Sequence, residues 1–162
     1  MTLQAVVGLG ANLGDRLATL RRAAAELRRV ATLERASHVY ESASVGPAQP
    51  DFLNAAVLLT HSGGAEALLD DLLSIEARLG RVRRERWGPR LIDLDLLWAG
   101  ATLVRTPRLV VPHPHLRERA FAVLPLLDVV PDAVDPETGQ PYLVPAGDVR
   151  KTEWPLIDPG PP

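Results

Sequence analysis

Cysteine is absent from this 162-residue chain, which excludes disulfide frameworks, thiolate metal sites and cysteine nucleophiles. No apolar run approaches the roughly 18 residues that a membrane-spanning helix needs. The start, Met-Thr-Leu-Gln-Ala-Val-Val-Gly, also lacks a basic segment followed by a long apolar one. These absences predict a soluble, cytoplasmic protein with no membrane partner. Internal repeats and an interdomain linker are missing too, so residues 1–162 read as one domain, long enough to bury a sizeable core. The end, from Pro155 to Pro162, is expected to fray. Nor is there strong charge of one sign: 18 basic residues against 20 acidic ones give a net charge of −2 at pH 7. That balance argues against a nucleic-acid partner, because the basic residues are concentrated rather than spread. Nothing in the composition sets the oligomeric state, and a monomer is the simplest expectation.

What the chain does have is one dense stretch, residues 85–98, Glu-Arg-Trp-Gly-Pro-Arg-Leu-Ile-Asp-Leu-Asp-Leu-Leu-Trp. From Leu91 it reads as a strand, and alternation puts Leu91, Asp93, Asp95 and Leu97 on one face and Ile92, Leu94, Leu96 and Trp98 on the other. The second face is wholly apolar and calls for cover by protein. The first holds two carboxylates roughly 7 Å apart at their Cα atoms, which is costly unless positive charge lies between them. A hard divalent cation would meet that need, as Mg²⁺ does when carboxylates and substrate phosphates hold it. An edge strand whose acids face water, or pair with nearby arginines, is the other reading. Arg81, Arg83, Arg84, Arg86 and Arg90 crowd into the ten preceding residues. Arginine forks beside a metal-binding acid pair suit a polyphosphate, whereas alone they make a solvated basic loop.

Elsewhere, residues 3–8 read as a strand, Gly8 to Asp15 as a glycine turn, and the Leu17, Leu20, Ala24, Leu27, Ala31 stripe as a helix. The glycines run G-x-G-x-x-x-G, one residue off the dinucleotide fingerprint, so that reading is rejected. Asn12 or Asp15 suits a helix cap. Residues 33–41 read as a strand with a partly wet face, 42–51 as a loop and 52–60 as a strand interrupted by Asn54. That carboxamide needs hydrogen-bond partners, and the pattern alone favours structural ones. A second helix spans residues 64–79, with Gly80 as its stop. Thr102 to Val104 reads as the hairpin partner of the Asp strand. A third helix runs from Ala120 to Leu127, where Pro125 should limit or kink it. His113 and His115 flank a proline and suit hydrogen bonding or phosphate contact better than zinc, because no third ligand is near. Residues 137–139 suggest a hairpin. The order β, α, β, β, α, β, β, α predicts an α+β, ferredoxin-like fold with a mainly antiparallel sheet.

Taken together, several motifs resemble the 6-hydroxymethyl-7,8-dihydropterin pyrophosphokinases of folate synthesis. They are Gly-Leu-Gly-Ala-Asn-Leu-Gly-Asp at 8–15, Gln-Pro-Asp-Phe-Leu-Asn-Ala-Ala at 49–56, Arg-Trp-Gly-Pro-Arg with Asp-Leu-Asp at 86–95, and Val111-Pro-His. The resemblance implies transfer of the β,γ-diphosphate of ATP to a hydroxymethyl pterin, leaving AMP. It implies two Mg²⁺ ions on Asp93 and Asp95, and arginines Arg81 and Arg90, with Arg83, on the transferred phosphates. Arg108, His113, Arg119 and Glu76 would serve the nucleotide. The pterin would lie between Trp87 and Phe121, with Asn54 reading its amide-like edge and Ser42, Val45 and Phe52 lining the pocket. The resemblance thus reverses the structural preference for Asn54. Phe52 stands where many members carry Tyr, and Ser42-Ala43 replaces a Thr-Pro pair. A different metal-dependent nucleotide transferase and an anion- or nucleic-acid-binding module are the alternative readings.

Overall fold

A computed structural model describes residues 2–44, 49–80 and 91–157. Strand β1 (Leu3–Ala11) leads into helix α1 (Arg16–Val30), and strands β2 (Thr32–Ala36), β3 (His38–Ser42) and β4 (Phe52–His61) follow. Then come α2 (Ala65–Arg78), β5 (Asp93–Trp98), the short β6 (Val104–Arg105) and β7 (Val110–Val111), a 3-10 turn at Leu116–Glu118, α3 (Ala120–Val129) and β8 (Val149–Pro155). Every pairing is antiparallel, in the order β5-β1-β4-β3-β8, with β2 also on β4. The α+β expectation is borne out.

Alternation along β1 explains the layers. Leu3, Ala5, Val7, Leu9 and Ala11 enter the larger core, together with Leu20 and Leu27 of α1 and Leu68, Leu72 and Ile75 of α2. Val6 faces the other way, into a second cluster built on Ala122, Val123 and Leu126 of α3. Both amphipathic stripes read from the sequence are therefore core faces on the same side of the sheet. Asp15 caps α1 by accepting the Ala18 N–H at 3.1 Å, and Gly80, at φ +95°, follows the end of α2 in a conformation that favours glycine.

Several expectations need correction. The glycine turn is shorter than expected: β1 continues through Gly8, Leu9 and Gly10 to Ala11, and the chain turns only at residues 12–15, with Gly14 at φ +62°. The single strand expected over 33–41 divides at Ser37, whose hydroxyl accepts the Ala56 N–H and donates to the His38 carbonyl. Thr102 to Val104 does not pair with the Asp strand; Val104–Arg105 pairs instead with Val110–Val111. The outer edge of β5 is already engaged, by Glu76 Oε2 accepting the Leu94 N–H at 2.9 Å and by His113 N–H donating to the Leu97 carbonyl at 2.9 Å. Trp98 does not share a face with Leu94 and Leu96. A bulge between Val6 and Val7 shifts the register and sends Trp98 to the α3 side, where its Nε1–H reaches the Val134 carbonyl at 2.9 Å. Pro125 does not end α3, which runs on to Val129. Of the end expected to fray, Pro155 closes β8, which pairs with β3, and Leu156 is buried in the larger core, while residues 158–162 lie outside the described residues. No described helix is long and apolar enough to cross a membrane.

Glu76, only 4% exposed, ties α2 to the edge strand that carries both acids. Glu76→Leu should cost about 1–3 kcal/mol in urea unfolding, because the buried Leu94 N–H loses its acceptor. Glu76→Gln, which keeps an oxygen there, should cost less. Equal stability of Glu76→Leu and the parent chain would contradict this role.

Candidate active site

The site begins with two missing side chains. Because β1 alternates, Gly8 and Gly10 come to the face opposite the larger core. Gly10 is in register with Asn54 on β4 and with Asp93 on β5, and Gly8 with Ala56 and Asp95. A Cβ on Gly10 would come within 3.4 Å of Asn54 Oδ1, and one on Gly8 within 2.9 Å of Leu97 Cδ1. The bare strand thus keeps open the space between the carboxamide and the two carboxylates. Above it lies a cavity of about 450 Å³, a size typical of small-molecule sites.

On the β3–β4 side, Ser42, Phe52 and Asn54 line this cavity. Asn54 Nδ2 donates to Ser42 Oγ at 2.8 Å, and both residues are buried. Asn54 therefore has a structural partner and also faces the cleft, so the two roles weighed for it are compatible. The serine hydroxyl at 42 supplies that partner where the motif differs. On the α3 side, Arg119 precedes the helix and Phe121 lies in its first turn, with the guanidinium carbon 5.7 Å from the ring centroid. Phe121 is 37% exposed, an aromatic face left open at the cleft wall.

His113 completes the set beside Asp95. Burial lowers its pKa, Asp95 opposes that shift, and Arg119 and His115 add to it. Its Nδ1 accepts the His115 backbone N–H at 3.1 Å. In the neutral ring the proton therefore sits on Nε2, leaving that nitrogen a donor.

Among the residues expected in the site, eight line one cavity: Ser42, Phe52, Asn54, Asp93, Asp95, His113, Arg119 and Phe121. Two are not brought to it. Arg108 is bound by α2, donating to Glu66 Oε2 at 2.9 Å and to Asp70 Oδ1 at 2.6 Å, while Glu76 holds the Leu94 N–H. Val45, Arg81, Arg83, Trp87 and Arg90 lie outside the described residues. Gly8, Gly10 and Gln49 line the cleft but were not expected there. The G-x-G spacing was the available signal, since glycines two apart on a strand strip one face.

The donors fit a hard cation. Asp93 and Asp95 offer carboxylate oxygens, and among the described residues no group of three or more acids and histidines could enclose a metal. A cation held here would take its remaining oxygens from water and phosphate, as Mg²⁺ commonly does.

Residues 6–131 match the family of 7,8-dihydro-6-hydroxymethylpterin-pyrophosphokinase (HPPK). The chain is 46% identical over 138 residues to the 2-amino-4-hydroxy-6-hydroxymethyldihydropteridine pyrophosphokinase of Synechocystis, covering 84% of this chain and 71% of that one. The Aquifex aeolicus protein of the same name is 39% identical over 131 residues, covering 80% and 82%. Among solved structures, Plasmodium falciparum HPPK-DHPS superposes with a TM-score of 0.68 at 13% identity, over 88% of this chain. This chain spans only 44% of that larger protein, and the likeness shows the shared ferredoxin-like α+β fold. With the family match spanning most of its length, this chain belongs to the 7,8-dihydro-6-hydroxymethylpterin-pyrophosphokinase family.

Proposed function

We propose that Asp93 and Asp95 form the catalytic centre of the family reaction in this chain, holding Mg²⁺ against the phosphates of ATP while the acceptor lies on the Asn54 side. As a member of the family, the chain transfers a pyrophosphoryl group from ATP to a hydroxymethyldihydropterin in folate biosynthesis. The observation that carries the site assignment is the register of β5 on β1. It sets both acids beside side-chain-free glycines and across from Asn54, in one cleft with His113 and Arg119.

The acceptor's hydroxymethyl oxygen bonds to the β-phosphorus and loses its proton. The bond from the β-phosphorus to the α,β-bridging oxygen breaks, AMP leaves carrying that bridging oxygen, the hydroxymethyl oxygen stays on the pterin, and its proton passes to solvent. Such transfers leave a protein little covalent work, so positioning and charge carry the rate. Two Mg²⁺ ions on Asp93 and Asp95, when bound, would neutralise phosphate charge and align the attacking and leaving oxygens. Arg119 and the Nε2–H of neutral His113 offer donors to the nucleotide's oxygens. Asn54, steadied by Ser42, presents its carboxamide to the heterocycle's amide-like edge, and Phe121 with Phe52 gives apolar surface for a flat ring. We assign Arg81, Arg83 and Arg90 to the transferred phosphates, Trp87 and Val45 to the pterin, and Arg108 to the nucleotide once its α2 carboxylates release it. Glu76 acts through β5, as the anchor of the acid-bearing strand. The enzyme is proposed to work as a soluble, cytoplasmic, single-domain protein, monomeric, with ATP and the pterin as its partners and no nucleic acid.

Incubation with ATP, Mg²⁺ and the hydroxymethyl dihydropterin should yield AMP in equal amount to the diphosphorylated pterin, with nothing formed when either Mg²⁺ or pterin is omitted. ADP as the sole nucleotide product would overturn the transfer chemistry. Asp95→Asn should lower kcat on the order of a hundredfold or more with an unchanged thermal midpoint. Full turnover in that folded variant would remove the metal-holding role.

A further inference from the structure

Behind the cleft wall, four charged residues from distant parts of the chain close a ring. Arg16, the first residue of α1, donates through Nη1 to Glu41 Oε2 and to the Asp51 carbonyl, both at 2.8 Å. Arg150, on β8, donates through Nη2 to Glu41 Oε1 at 3.0 Å and to Asp51 Oδ2 at 3.3 Å. Each arginine therefore bridges the end of β3 to the approach to β4, and Glu41 spends one carboxylate oxygen on each. The Arg16 hydrogen bond first, and the Arg150 one second, hold the Glu41 carboxyl below its ordinary range.

The rung beside this ring is the pair Ser42↔Phe52, the last between β3 and β4, and both residues line the cleft. Neighbouring side chains on a strand point to opposite faces, so Glu41 grips from behind what Ser42 presents in front. Other bonds fix the same wall. Ala43 N–H donates to the Asp148 carbonyl at 3.3 Å, Ser44 Oγ to the Gln49 carbonyl at 3.0 Å, and Asn12 Nδ2 to Gln49 Oε1 at 3.3 Å. Asp148 leads directly into β8, so that strand holds the wall at two points.

We propose that Arg16, Glu41, Asp51 and Arg150 act as an ionic clamp that sets the acceptor wall of the cleft, with Arg150 of the C-terminal strand as a positioning residue for the pterin. The inference rests on the reading that this end of the cleft receives the heterocycle. Partly exposed ion pairs add little to stability one by one. The Arg150 side chain is 55% exposed, so its contribution lies in geometry rather than in folding energy. A wall already in place spares the ligand the cost of ordering it. The nucleotide side, built on β5, His113 and Arg119, shares no residue with the clamp.

Titration calorimetry tests this, with the hydroxymethyl dihydropterin added to the full chain already saturated with Mg²⁺ and a non-hydrolysable ATP analogue. Arg150→Met is expected to weaken pterin affinity about three- to tenfold while affinity for the analogue alone stays within about twofold. Arg150→Lys should recover part of the loss, and Glu41→Gln should reproduce it. Unchanged pterin affinity in both Arg150→Met and Glu41→Gln, or an equal loss for both ligands, overturns the clamp. Pterin binding in the parent chain but not weakened in the variants would strike the clamp alone. No pterin binding by the parent chain would instead strike the assignment of the cleft, and the clamp with it.

Discussion

The site depends on one backbone constraint, the antiparallel register that places Asp95 beside Gly8 and Asp93 beside Gly10. Two carboxylates on one face of a strand repel one another, and burial among apolar side chains would make that repulsion worse. Glycine at both partner positions removes the side chains that would bury them, so the acids border a cavity instead of a core. One residue of slip would exchange the faces of β5, turning the acids inward and Leu94 and Leu96 outward. The register is therefore fixed by the same apolar burial that builds the larger core.

That core also explains why the edge strand can carry charge on one face. Ile92, Leu94 and Leu96 are all buried on the side that receives α1 and α2. Glu76 holds an edge N–H that would otherwise lack a partner, and His113 caps the other end through the Leu97 carbonyl. The second of these contacts also brings an imidazole next to Asp95. Packing and site assembly thus meet in the same few hydrogen bonds. On the far wall, the charges of Arg16, Glu41, Asp51 and Arg150 do comparable work from the surface, with one contribution from a strand near the end of the chain.

Much of this was legible where chemistry and periodicity agreed. The stripe Leu68, Leu72, Ile75 announced α2, and Asp93-Leu-Asp95 announced the acid pair, because each pattern repeats with the period of its element. Gly8 and Gly10 read as turn residues because the residue that weakens a strand signal is also the commonest turn residue; only their pairing partners reveal that they strip a face. Alternation alone puts Trp98 on the wrong side, because a bulge depends on the neighbouring strand and leaves no mark in its own sequence. Strand β8 gave little warning: Val-Arg-Lys-Thr-Glu-Trp-Pro has few apolar residues, and it pairs at an edge with most of its side chains in water. Asn54 shows the limit of pattern alone, since its structural partner Ser42 lies twelve residues away and both residues border the same cleft. Arg108 looked like a phosphate ligand by motif, yet in this state its guanidinium is satisfied by two carboxylates of α2.

Diffraction from crystals grown with Mn²⁺ and a non-hydrolysable ATP analogue, with anomalous scattering recorded at the manganese edge, shows whether the acid pair holds metal against the nucleotide. Manganese peaks are expected bonded to carboxylate oxygens of Asp93 and Asp95 and to phosphate oxygens of the nucleotide. Manganese bound elsewhere, with both carboxylates turned away from the nucleotide, would contradict that metal-holding role.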